Sequence, residues 1–315
     1  MDADGLLLVD KETGGTSHDV VQLARRVFRQ KRIGHCGTLD PDATGLLLLT
    51  LGQATRLTRF LIHAPKVYEG EIRFGIATDT YDASGRVTAE RPIDELDADA
   101  IDAALPRFVG TFEQHLPAFS ARKVQGVRFY ELARRGEEVP DVSKEVTVGE
   151  LSRTGDLVDG RVPFRLSCSS GTYARAIAHD LGLALGCGAH LSALRRTAIG
   201  PFRAADSLKL DEIARRREAG DPLGETWLPL ERIPLPFAAV AVDAQQENRL
   251  RSGQTILAQA LDAATGDWVR LGDRRGNLIA IGSVTERVGA GAVSVVQPRI
   301  VFRSGGPDVV GSARI

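Results

Sequence analysis

Cysteine is scarce here. The 315 residues hold three, Cys36, Cys168 and Cys187, with no C-x-x-C pair among them. An odd number at irregular spacing excludes a disulfide framework and a zinc ribbon, and it points to a reducing compartment. No apolar run approaches the length of a membrane span. The first residues, with Asp2 and Asp4 ahead of a few apolar positions, lack the charged-then-apolar order of a secretory signal. A cytoplasmic protein is expected. Excess positive charge is also missing. The formal net charge is −1, so a polyanion partner requires a local basic face rather than an overall basic chain. No phosphate-binding glycine loop, dinucleotide fingerprint or His/Cys metal cluster is found, and no cofactor is implied. There are no internal repeats or low-complexity blocks.

What is present is ordinary globular material, 43% hydrophobic and 26% charged, enough for a large domain and a small one. The run Leu46-Leu47-Leu48-Leu49 reads as a buried strand. Ahead of it, His35 to Gly45 forms a loop with glycines at Gly37 and Gly45. Pro41 fixes its own backbone and pushes Asp40 toward an extended conformation. A carboxylate is therefore presented from a stiffened loop at the lip of a strand. An Asp-Pro pair more often only starts a turn, so spacing alone does not make Asp40 reactive.

Gly5 to Lys11 reads as a strand, and Thr16, Ser17 or Asp19 caps the helix that follows. Arg25, Arg26, Arg29, Lys31 and Arg32 lie on or just after this helix, as a solvated face or a phosphate contact. Gly52 to Leu61 reads as a helix, and Lys66 to Gly75 as a strand in which Tyr68 is by default a packing residue. Thr78 to Gly85 is read as a turn held by aspartate hydrogen bonds and nothing more. Asp94 to Val109 reads as one helix interrupted by Pro106. From Phe112 to Gly136, basic and aromatic residues interleave, including Arg122, Lys123, Arg128 and Arg134. That mixture suits nucleic acid, with cations for phosphates and rings for bases. Val146 to Leu151 and Arg161 to Ser167 are strand-like.

Cys168 to Gly182 reads as a strand end, a glycine turn and a helix start. Arg175 falls in the first helical turn, where the helix dipole favours an acid. Its natural partner is a carboxylate elsewhere in the fold, or an ordinary surface acid. His190 has no companion ligands at metal spacing. A helix follows Asp206, and Pro222 to Pro236 is rich in proline. The domain boundary is placed near residue 238. Beyond it, a short helix stopped by Gly253 and strands near 268–271, 278–284 and 293–296 indicate a small β-rich module, and 304–315 reads as a loose tail.

The string H-C-G-T-L-D-P-D-A-T-G-L-L, His35 to Leu47, resembles the catalytic motif of the tRNA pseudouridine-55 synthases of the TruB type. Four further strings follow in that family's order. They are K-x-x-G-x-T-S (Lys11 to Ser17), K-x-Y (Lys66 to Tyr68), T-D-T-x-D-x-x-G (Thr78 to Gly85) and G-A-H-L-x-x-L-R-R-T-x-x-G-x-F (Gly188 to Phe202). The resemblance spans residues 5–203. The stretch Phe112 to Gly136 resembles the insert that enzymes of this family push into the tRNA T-loop, and in it Leu116-Pro117-Ala118 departs from the usual double proline. The resemblance implies an α+β catalytic domain, residues 1–238, built on a mixed, mainly antiparallel sheet flanked by helices. A PUA-like RNA-binding module would occupy 239–303. It implies isomerisation of a T-loop uridine in tRNA on a flipped-out nucleotide, with no cofactor, metal or protein partner and with a monomeric enzyme.

By the same resemblance Asp40 acts on the sugar, attacking C1′ or removing the C2′ proton, and Arg175 pairs with it. Tyr68 is stacking partner or general base, and His35 fills the space left by the base. Tyr173 packs the pocket, Leu194 borders the uracil, and Arg122, Lys123, Arg128 and Arg134 grip the RNA loop. The rivals are a non-catalytic RNA-binding or chaperone protein, a nucleoside hydrolase, which needs more carboxylates than the one convincing here, and an RNA-guided relative, which would lack the insert.

Overall fold

The computed structural model describes residues 3–117, 119, 123–124, 127–129, 135, 137, 140–289 and 293–303. Its central element is the strand β3, Thr44–Leu51, which follows β1 (Gly5–Lys11) and β2 (Ile33–His35) in the chain. The leucine run of β3 is fully buried because both faces of the strand are covered. Leu46 and Leu48 enter one core cluster, and Leu47 and Leu49 enter another. A strand packed on both faces reads as a continuous apolar run rather than an alternation.

Among the described residues the main sheet holds ten strands. From edge to edge they run Trp227–Pro229, β1, β3, Ala189–Ile199, β4 (Lys66–Phe74), Arg161–Cys168, Ser143–Arg153 and Gly110–His115. Two short strands, β2 and Phe202–Arg203, pair off this path. All pairings are antiparallel except the contact of Ala189–Ile199 with β3, which is parallel and aligns Arg196 with Gly45. That crossing places three functional stretches side by side: the loop before β3, the Tyr68 strand β4, and the L-R-R segment.

Helices lie against the sheet. Helix α1 (Ser17–Phe28) is closed at its start by a capping box between Thr16 and Asp19, so Thr16 is the cap among the three candidates. The Gly52–Leu61 stretch begins as a 3-10 helix and becomes α-helical only over Thr58–Leu61. The expected helix over 94–109 is shorter. It is α-helical at Ala98–Ala104 and tightens to a 3-10 turn at Leu105–Phe108, where Pro106 withholds a backbone N–H.

A second sheet of five strands starts at Ala238. It is not loosely tethered. Leu278, Ile281, Ile300 and Phe302 share a core cluster with Leu6, Leu46 and Leu57 of the main domain. Phe60 meets Trp268 and Phe237 edge-on, with ring centroids 4.9 and 5.0 Å away. Gln53 exchanges two hydrogen bonds with the Arg303 backbone. The residues that follow β3 thus seat the second sheet, while those that precede it form the site.

Gly45 has φ +97°, and a Cβ there would run into the Arg196 carbonyl. Gly45→Ala is expected to destabilise the fold by about 3 kcal/mol, read as a lower denaturant midpoint at an unchanged slope.

Candidate active site

The loop before β3 is immobilised through its carbonyl groups. Buried Lys11 donates from Nζ to the carbonyls of Pro41 (2.8 Å) and Ala43 (2.7 Å). Arg196, fully buried, donates to Leu46 (2.8 Å), Thr38 (3.3 Å) and Gly37 (3.2 Å). Ser17 Oγ accepts from the Leu39 N–H at 2.8 Å, and the Gly14 N–H reaches the Pro41 carbonyl. Loop carbonyls turned away from strand partners must find donors, and here two buried cations supply them. Gly37 and Gly45 both adopt positive φ, as loop closure requires.

Asp40 emerges from this frame with its side chain 43% exposed. Behind it lies Arg175, only 6% exposed, in the first turn of the helix Ala174–Ala184. Arg175 Nε stands 3.4 Å from Asp40 Oδ2. Its Nη1 stands 3.6 Å from Asp82 Oδ2 and donates to the Thr80 carbonyl at 3.2 Å. Its Nη2 donates to the Phe119 carbonyl at 2.7 Å, and the guanidinium lies 5.6 Å from the centre of the Tyr173 ring. Arg175 therefore has two carboxylate partners. The turn at Thr78–Gly85 is held by aspartate as expected, because Asp82 Oδ1 accepts from Thr80 Oγ1 and from Ser84. Reading it as a turn alone falls short, since the other oxygen of Asp82 faces the guanidinium. Asp40 is not the sole carboxylate at this site.

Tyr68 is buried in the core cluster that also holds Leu39, with Leu194 packed against it. Burial pushes the Tyr68 phenol pKa up, against the nearby Arg196 charge and its hydrogen bond. Tyr173 precedes the helix, and its backbone N–H and C=O both bond the side chain of buried Gln114 (2.8 and 3.1 Å). His35 closes β2, and burial lowers its pKa, so the ring is neutral. Its Nδ1 has no hydrogen-bond partner among the described residues. His190 Nδ1 lies 2.8 Å from the Ile76 carbonyl. Arg122 and Arg134 lie outside the described residues, and for Lys123 and Arg128 only the backbone is described, as two short paired strands.

The structure thus brings Asp40 to Arg175, sets the Tyr173 ring against the guanidinium, and packs Leu194 on the cluster that holds Tyr68 and the loop residue Leu39. Sequence reasoning missed Lys11, Arg196, Asp82 and Gln114. Lys11, Asp82 and Arg196 sit inside motif strings and Gln114 outside them. A Lys or Arg is read by default as solvated and an Asp in a turn as a turn residue, and nothing in the spacing marks any of the four as buried or shared.

Cys36, inside the same loop, is not a nucleophile. It is fully buried, and burial pushes its thiol pKa to about 12. Arg196→Met should take a donor from two loop carbonyls and from that of Leu46 in β3, and destabilise the fold by about 3 kcal/mol or more. Cys36 should then react with a thiol reagent in native buffer, whereas in the parent protein it should stay protected.

A family model described as TruB family pseudouridylate synthase (N terminal domain) matches residues 25–174. A second, the tRNA pseudouridylate synthase B C-terminal domain, matches 175–233. A protein of Thermobifida fusca named tRNA pseudouridine synthase B is 48% identical over 262 residues, covering 81% of this chain and 87% of the relative. One of the same name from Nitrosococcus oceani is 41% identical over 286 residues, covering 90% and 92%. Among solved structures, an H/ACA RNP bound to a substrate RNA containing 2′-deoxyuridine superposes with a TM-score of 0.73 at 23% identity, covering 95% of this chain and 85% of that one. A Cbf5-Nop10-Gar1 complex gives 0.71 at 24%, covering 94% and 84%. These two establish a shared fold. With both models and both relatives in agreement, the chain belongs to the TruB family of pseudouridylate synthases.

Proposed function

We propose that the Asp40 site isomerises uridine 55 in the T-loop of tRNA to pseudouridine. Membership of the family makes the chain a tRNA pseudouridine synthase, an isomerase. The T-arm as recognition element, the action of a monomer without a protein partner, and a cytoplasmic setting belong to the proposal. So does the division of the chain into a catalytic domain (1–238), an RNA-gripping insert near 112–136 and an RNA-contacting module (239–303). No described helix is long and apolar enough to cross a membrane.

The reaction breaks the C1′–N1 bond, turns the base, forms C1′–C5, and moves one proton from C5 to N1. The target base must first leave the stack, which costs a few kcal/mol. His35, neutral and at the loop edge, is assigned to the vacated space. Arg122, Lys123, Arg128 and Arg134 are assigned to the phosphates of the loop. The observation that carries the reading is Asp40 itself: a half-exposed carboxylate on a fixed loop, with a buried cation directly behind it. The cation gives that carboxylate a charge partner while leaving it open to solvent, and both sugar routes, attack on C1′ and removal of the C2′ proton, use a carboxylate oxygen. Tyr68 retains its proton at neutral pH because it is buried. That favours a stacking role over a general base. Leu194 and Tyr173 complete the wall of the base pocket.

A non-catalytic RNA-binding protein has no need of this ion pair, and Asp40→Asn separates the two readings. On a T-arm stem-loop carrying tritium at C5, the variant should release label about 10⁴-fold more slowly, with RNA affinity within a few-fold. Retained turnover would remove Asp40 from the chemistry. Arg175→Ala should lower the rate per folded molecule at least about a hundredfold and lower stability by about 3 kcal/mol. A stability loss with the rate per folded molecule unchanged would make the arginine merely structural. Asp82→Asn, which keeps its turn contacts through Oδ1, should slow the reaction about tenfold without changing the melting temperature.

A further inference from the structure

Beside the ion pair lies an aromatic contact that the family strings do not carry. Tyr81 occupies the unspecified position of T-D-T-x-D. Its ring stacks on that of His179 with centroids 3.7 Å apart and planes 15° from parallel. His179 is one helical turn beyond Arg175 on the same helix, Ala174–Ala184, so the two side chains share a face. Three consecutive turn residues therefore touch that helix. The Thr80 carbonyl and the Asp82 carboxylate meet Arg175, and the Tyr81 ring meets His179.

The turn is also tied to the sheet. The Leu191 N–H donates to the Tyr81 carbonyl (2.9 Å), and the Ala83 N–H donates to the Leu191 carbonyl (3.0 Å). These bonds bracket Asp82. Tyr81 itself sits at φ +66°, a region that side chains other than glycine and asparagine rarely occupy and that persists only where surrounding contacts over-determine it. Burial lowers the His179 pKa, and its Nδ1 is buried without a partner among the described residues. The imidazole is thus a neutral flat ring. It offers the tyrosine a face and adds no second cation next to Arg175.

Resting on the isomerase reading above, we propose that the Tyr81–His179 stack is a positioning pair. It holds the turn on the helix so that Asp82 and Thr80 aim the Arg175 guanidinium at Asp40. Neither ring is assigned contact with the reacting uridine, so the pair acts through Arg175 alone.

The test compares His179→Ala, His179→Phe and Tyr81→Leu with the parent protein and Asp40→Asn on the tritiated T-arm stem-loop. Single-turnover rate, RNA affinity and melting temperature are measured for each. His179→Ala and Tyr81→Leu should slow the single-turnover step five- to twentyfold with affinity within twofold. His179→Phe, which restores a flat face, should recover the rate to within about twofold of the parent. A structural role alone would lower the melting temperature and leave the rate per folded molecule unchanged. That result overturns the inference, as does full activity in His179→Ala, or a His179→Phe variant as slow as His179→Ala. If His179→Ala does not fold, Tyr81→Leu and His179→Phe still decide the matter. An inactive parent protein would defeat the isomerase reading instead. An active parent with insensitive stack variants defeats only this inference.

Discussion

A guanidinium buried to 6% exposure has to have its charge balanced, and the geometry of the whole site follows from how that is done. Leaving Arg175 unpaired in the interior would carry a penalty of several kcal/mol. The fold answers with two carboxylates and two carbonyls drawn from three separate stretches of chain: the loop before β3, the turn at Thr80–Asp82, and Phe119 in the insert. The first two of those stretches are anchored elsewhere, the loop by Lys11 and Arg196 and the turn by Leu191. The arginine is therefore a meeting point at which the Asp40 loop, the turn and the Phe119 carbonyl share one guanidinium.

Rigidity at Asp40 comes from the same kind of solution, applied to dipoles rather than charges. Lys11 and Arg196 are buried cations whose surroundings are chiefly carbonyl oxygens of the Asp40 loop. The arrangement satisfies the loop backbone and raises the electrostatic potential around it without placing either cation in direct contact with the carboxylate. Lys66, one strand away, is treated alike. It donates to the carbonyls of Ile62 and Ala64, while burial and the neighbouring Arg196 bring its pKa down to about 8. The second sheet adds stiffness from the far end of β3, since the helical turns that follow the strand carry Gln53 and Phe60 into contact with that sheet.

Much of this was legible in the sequence, for physical reasons that can be named. Leu46 to Leu49 read as a buried strand because four leucines bounded by turn residues have few other options. The Asp40 loop read as stiffened because Pro41 fixes its own backbone, and as tightly turned because Gly37 and Gly45 admit angles that other residues avoid. Arg175 stood out by sitting where the helix dipole disfavours it, and the resemblance named its partner. Other features were hidden by a more ordinary duty. Asp82 satisfies a turn with one oxygen, and nothing in one dimension shows where its second oxygen points. Arg196 follows Arg195 in the chain, yet Arg195 forms a half-exposed pair with Asp10 while Arg196 is sealed inside. Alternation along a strand separates them, and the motif string does not say which face is inward. Contacts between the two sheets escaped notice because Phe60 and Trp268 lie more than two hundred residues apart.

The separations around Arg175 bear on the chemistry. A tight bidentate arginine–carboxylate pair has contacts of about 2.7–2.9 Å. Arg195 and Asp10 make such a pair, at 2.9 and 2.8 Å. Arg175 stands at 3.4 Å from Asp40 and 3.6 Å from Asp82, and its Nε makes no hydrogen bond within the described residues. The two N–H groups that do form hydrogen bonds go to carbonyls. The guanidinium is thus fixed by neutral acceptors and shared between two acids, so neither acid is clamped. For a carboxylate that has to stay ionised and yet turn its lone pair to a ribose, this is the favourable compromise. A bidentate pair would leave both Asp40 oxygens occupied, and an isolated Asp40 would be free but without a charge partner. Asp82 supplies the difference by taking up part of the arginine's field, which is why a residue that never needs to touch the uridine belongs to the site.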